Sequence, residues 1–112
     1  MTYYLAELYS PKPAWLALDA AGRSQFFELV GAGMVSLIAL GIEPLASGKT
    51  ESTALHSASQ QFFALWRAPD QAAMNALLSA IAATGWHAYF DTINAAGVGG
   101  DLNQHLGQLA TA

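Results

Sequence analysis

Apolar and polar positions change their spacing several times along this chain, and each change marks an element. Tyr3 to Tyr9 is rich in aromatic residues, holds one charge and runs into Ser10-Pro11-Lys12-Pro13. It reads as a strand bounded by turn residues. Alternation places Tyr3, Leu5, Glu7 and Tyr9 on one face and Tyr4, Ala6 and Leu8 on the other. Glu7 therefore marks either solvent or a polar cavity. Two prolines one residue apart fix φ and remove donors, which stops the strand. Pro13 suits the first position of a helical turn, and Ala14 to Leu18 reads as that turn, with Trp15 and Leu18 turned to the core. From Asp19 to Leu40 apolar residues recur every three or four positions, at Phe26, Phe27, Val30, Met34, Leu37 and Ile38. That spacing predicts a long helix, N-capped by Asp19 and stopped by Gly41. Its far side is small rather than charged, which predicts neighbours on more than one side.

Ile42 to Glu51 begins as a second strand, and Pro44 places it at a sheet edge. Ser47 to Gln60 is small and polar and reads as a long hairpin connection. Gln61 to Arg67 is the third strand. Phe62, Ala64 and Trp66 point one way, and Phe63, Leu65 and Arg67 the other. Its continuous apolar character predicts burial on both faces. Ala68-Pro69-Asp70 opens a second long helix with a stripe of Met74, Leu77, Leu78 and Ile81, ended by Gly85. Trp86 to Ile93 fits a helical spacing and an alternating one, and the glycine boundary favours a fourth strand. Ala95 to Gly100 reads as loop, and Asp101 caps a short last helix showing Leu102, Leu106 and Leu109. The order is β-α-β-β-α-β with a C-terminal helical tail, the split βαβ or ferredoxin-like pattern of an α+β fold. At 112 residues the chain is expected to be a single domain spanning 1–112.

Composition adds a constraint that periodicity lacks. Hydrophobic residues make up 54% and charged residues 11%, against a usual charged share of about 25%. A domain of this size has too much surface for so few charges, so part of it is expected to be covered by a second copy of the chain. The most apolar stretch, Leu29 to Ile42, is shorter than the ~20 residues of a membrane span and is broken by glycines. The N-terminus lacks a basic region and carries Glu7, unlike a signal peptide. A net charge of −4 gives no basic footprint for nucleic acid or anionic membrane. The absence of cysteine removes disulfides and thiolate chemistry and fits a reducing, cytoplasmic setting.

Three blocks carry a family likeness. Pro13, Trp15, Leu16 and Leu18, followed by Arg23, Phe26 and Phe27, form the first. Phe63-Ala64-Leu65-Trp66-Arg67-Ala68-Pro69-Asp70 and Gly85-Trp86-His87-Ala88-Tyr89-Phe90 form the others. Together they resemble small uncharacterised bacterial proteins of the darcynin-like group. The resemblance implies a ferredoxin-like domain of the kind that pairs into a dimeric α+β barrel, and it says almost nothing about chemistry.

Familiar catalytic motifs fail on inspection. Gly48-Lys49-Thr50 looks like the end of a phosphate-binding loop, but Glu43 stands where that motif needs glycine, and a carboxylate there repels phosphate. His56, His87 and His105 fall in three segments without ligand-spaced partners, so no metal site is expected, and no cofactor. The constellation worth following is Glu7, His87 and Asp91 as acid–base groups, with Tyr9, Trp66, Arg67 and Tyr89 as ligand-binding walls. In a split βαβ sheet the first and third strands are neighbours and the fourth flanks the first. Glu7, Arg67 and Asp91 or Tyr89 are then expected to meet on one face, in a dry cavity that moves pKa values towards neutrality. The competing reading pairs Glu7 with Arg67 and leaves Asp91 and His87 in water. Two functions follow. One is a dimeric domain that binds, or acts without a cofactor on, a small apolar or aromatic ligand. The other is a non-catalytic interaction or structural dimer module.

Overall fold

The computed structural model describes residues 1–112. Its elements are β1 (Tyr3–Pro11), α1 (Pro13–Leu16), α2 (Ala20–Ala39), β2 (Glu43–Lys49), β3 (Phe62–Ala68), α3 (Gln71–Ala83), α4 (Trp86–Tyr89), β4 (Phe90–Val98) and α5 (Leu102–Ala110). The four strands form an antiparallel sheet in the order β2-β3-β1-β4. That is the ferredoxin-like α+β arrangement the sequence pattern predicts, with Pro44 on an edge strand where its missing donor is harmless.

The long helices start on side-chain caps. The carboxylates of Asp19 and Asp70 accept from the free N–H groups of Gly22 and Ala73, each at 2.8 Å. Gly41 and Gly85 follow α2 and α3 at φ 83° and 85°, a left-handed conformation that L side chains resist. Asp101 and Gln104 close a reciprocal capping box on α5.

Two expectations need correcting. Trp86 to Ile93 is not one strand. A four-residue turn, α4, precedes β4, because Gly85 redirects the chain and the rings of Trp86 and Tyr89 turn inward against Phe90 and Phe26. In compensation, β4 runs on to Val98 through residues expected to be loop. Ala95, Ala96 and Gly97 have little strand preference of their own, but they pair with Ala6, Leu5 and Tyr4 of β1, and the ladder overrides propensity. The second correction concerns β3. Ala64 and Ala68 are buried on its helix side, whereas Leu65 on the other face is 39% exposed. Within one chain β3 is covered on one side only.

Helices α1 to α4 pack over one face of the sheet, whereas α5 is exposed along its whole length, and the core between the layers falls into two clusters. Leu5, Leu37, Ile42, Ala68, Ala73, Met74 and Leu77 form the larger. Trp15, Phe26 and Phe90 form the smaller, with Tyr9, Trp86 and Tyr89 packed around it. No helix is long and apolar enough to cross a membrane.

A candidate ligand cavity between sheet and helices

The gap between these clusters is a cavity of about 190 Å³. Leu37 and Leu77 of the larger cluster bound one side, and Tyr9 and Trp86 beside the smaller cluster bound the other. The sheet supplies Glu7, Tyr9, Ala64 and Trp66; α2 supplies Val30, Gly33 and Met34; the end of α3 supplies Ile81 and Thr84. Strand alternation explains the first set. Glu7 and Tyr9 share a face of β1, and Ala64 stands opposite Glu7 on β3. The helix residues recur at helical spacing along inward-facing stripes.

Glu7 is the one charged residue in this lining and is 3% exposed. The indole Nε1–H of Trp66 donates to its Oε1 at 2.6 Å, and no protein group donates to Oε2. Burial pushes the Glu7 carboxyl above the usual carboxylate range, against the opposing pull of the Trp66 hydrogen bond. The Tyr9 hydroxyl is also pushed up, first by burial and then by the neighbouring Glu7 charge. Trp86 is held in place: its Nε1–H donates to Thr92 Oγ1 at 3.0 Å, and its ring stacks on Phe90 at 4.2 Å. Thr84 donates its hydroxyl to the Ile81 carbonyl at 2.6 Å, so its proton is already committed. The arrangement offers a ligand a largely apolar volume with aromatic walls and one carboxyl group able to give or take a proton.

Of the residues expected from sequence, Glu7, Tyr9 and Trp66 meet here. The others do not. Arg67 alternates to the opposite sheet face and pairs with Glu43 across the β2–β3 ladder, so the expected Glu7–Arg67 pair is absent. Asp91 also lies on that opposite face, with its side chain 78% exposed, and Lys12 Nζ is 3.8 Å from its Oδ1. His87 is exposed, and its backbone carbonyl accepts from Lys12 Nζ at 2.7 Å. Tyr89 packs its ring on Trp15 and Phe26 and stays outside the cavity lining. The meeting of Glu7 with Arg67 and Asp91 fails on parity: in these registers they face opposite sides of the sheet.

Residues that sequence reading passed over include Trp86, Gly33 and Thr84. The apolar stripes through Met34, Leu37, Leu77 and Ile81 are visible in the sequence, but they read as plain core. No periodicity distinguishes a stripe that meets its partner from one that stops short of it. No group of three or more His, Asp or Glu side chains converges anywhere as a metal site.

A family profile described as a family of unknown function, DUF6616, matches residues 2–112. No curated protein matches the chain. Among solved structures, a mutant chlorite dismutase from Candidatus Nitrospira defluvii superposes with a TM-score of 0.69 at 15% identity, over 89% of this chain and 40% of that one. A second, TA0507, named as a candidate chlorite dismutase, gives 0.63 at 23% identity over 90% and 46%. The methylated RPA0582 protein gives 0.53 at 12% identity over 88% and 82%. At these identities the likeness shows the fold, and the chain spans less than half the length of the two dismutase-type structures.

Proposed function

Because the chain belongs to DUF6616, a family of unknown function, its role has to be read from its own site, and we propose that it is a homodimeric domain that binds a small, largely apolar ligand between sheet and helices. Glu7 is the group that would act on that ligand as acid or base. The carrying observation is the cavity itself, a largely apolar volume of about 190 Å³ holding a buried carboxyl with one oxygen unbonded. A purely structural module has no use for either feature, since filling the gap with a larger side chain would stabilise it. The darcynin-like blocks fit this reading, as most of their aromatic residues wall the cavity or support its walls. The whole of residues 1–112 would act as one unit, in a reducing cytoplasmic compartment.

Dimerisation is supported by surface area. The chain exposes 7341 Å², whereas a folded monomer of 11.8 kDa should expose about 5,900 Å². The excess, about 1,400 Å² per chain, is what an obligate homodimer typically covers. The helix-free sheet face is the part shaped for it. Ala6, Leu8, Leu65 and Ile93 form an apolar centre, and the Arg67–Glu43 and Lys12–Asp91 pairs lie towards its ends. An apolar centre with a polar rim is the usual anatomy of an interface.

Native mass spectrometry of the protein as purified from cells tests both parts. The expected spectrum is a dimer carrying extra mass that is lost on denaturation. A dimer that stays at bare mass, and that gains none when small aromatic compounds are added, would sink the binding reading. A monomer would sink the dimer.

A further inference from the structure

We infer that the cavity is built for a neutral, single-ring molecule carrying one O–H or N–H donor directed at the free oxygen of Glu7, with Gly33 setting the size limit. This rests on the proposal that the cavity binds a ligand, and adds the ligand's chemistry.

Size comes first. A dry cavity of about 150 Å³ accommodates benzene. At about 190 Å³ this one has room for a ring with one or two small substituents, and a second fused ring would crowd it. Shape comes next. The rings of Tyr9, Trp66 and Trp86 line the volume, and aromatic walls favour a flat ring that can stack or meet them edge-on. Polarity comes last. Glu7 is the single ionisable carboxyl in the lining, and its Oε1 is taken by Trp66, which leaves one acceptor oxygen facing the ligand. An anionic ligand would find no cationic partner in the lining. A cationic one would bring a strongly hydrated group into a site with a single buried partner, which seldom repays its desolvation. A neutral donor satisfies the open oxygen without either penalty.

Gly33 sits inside α2, where glycine costs roughly 1 kcal/mol against alanine. A Cβ built there meets no atom within 4 Å. Neither close packing nor backbone conformation therefore demands glycine at this position. It borders the cavity, and what it contributes there is space.

The test is a binding series followed by calorimetry and by the fluorescence of the cavity tryptophans, using phenol, benzene, benzoate, benzylamine and 2-naphthol. Wild type should prefer phenol to benzene by up to roughly tenfold, the worth of one hydrogen bond, and should bind benzoate, benzylamine and 2-naphthol more weakly than phenol. Glu7→Leu should keep benzene and lose the preference for phenol, with retained benzene binding showing that the variant is folded. Gly33→Leu should fold with unchanged or higher thermal stability and bind none of the series. Benzene equal to phenol in wild type, or benzoate, benzylamine or 2-naphthol binding best, would overturn this ligand class while leaving a binding cavity in place. No binding by any compound would remove the cavity reading itself. Gly33→Leu binding like wild type would remove the role of Gly33.

Discussion

Glu7 is placed where its charge is least welcome, and that should be measurable as a dependence of stability on pH. Burial disfavours the anion and pushes its folded carboxyl above the usual carboxylate range. The folded state therefore holds the proton more tightly than the unfolded chain. Its contribution to stability is fully present below the unfolded pKa and is lost as pH rises through the raised folded value. Glu7→Gln keeps an acceptor for Trp66 and removes the titration. Its melting temperature should match wild type below about pH 4 and exceed it increasingly as pH rises from there, which thermal melts across a pH series will measure. A wild-type advantage at neutral pH would show that ionised Glu7 is stabilised by a partner other than Trp66. The same residue shows how far one position can be read from sequence. A lone charge in an aromatic strand signals solvent or a cavity, and the choice depends on whether helices cover that face.

At the scale of elements, the boundary between α3 and β4 depends on Gly85. Its φ of 85° stops α3 and starts the turn that sends Trp86 and Tyr89 inward. A Cβ there meets no neighbour within 4 Å, so a substitution is penalised by conformation alone. Gly85→Ala should cost about 1–2 kcal/mol in urea denaturation, with the wall formed by Trp86 loosened and ligand affinity reduced. A neutral effect would mean that the turn tolerates another backbone path. Most elements were legible beforehand, since capping aspartates, prolines and the helical stripes are local signals. The split of Trp86 to Ile93 was not. Four residues are too few to establish a period, and the start of β4 is set by pairing with Pro11 at the far end of β1.

The whole molecule is flat, with principal extents of 49 × 37 × 19 Å and a radius of gyration of 15.7 Å. A compact chain of this length would be nearer 13 Å. Three apolar surfaces are left uncovered in this shape: the helix-free sheet face, the outer side of α2, where Phe27, Val35 and Ile38 are 59–72% exposed, and α5, which exposes Leu102, Leu106 and Leu109. The dimer proposal commits to the first. The double substitution Leu65→Glu and Ile93→Glu should convert a dimer to monomer in sedimentation velocity, with far-ultraviolet circular dichroism little changed. Val35→Glu with Ile38→Glu should leave the dimer intact. The reverse outcome would move the interface to α2.

The sequence by itself determined the element order, the caps, the edge position of β2 and the surplus of apolar surface. These follow from local conformational preference and composition, which act on each stretch independently. Which polar residues share a site was decided only by the tertiary structure. Sheet register sorts side chains by parity, so it put Glu7 with Tyr9 and Trp66 and sent Arg67 and Asp91 to the other face. The cavity has the same origin. It is the volume that two separately formed apolar layers fail to fill, and that mismatch exists only once they are packed.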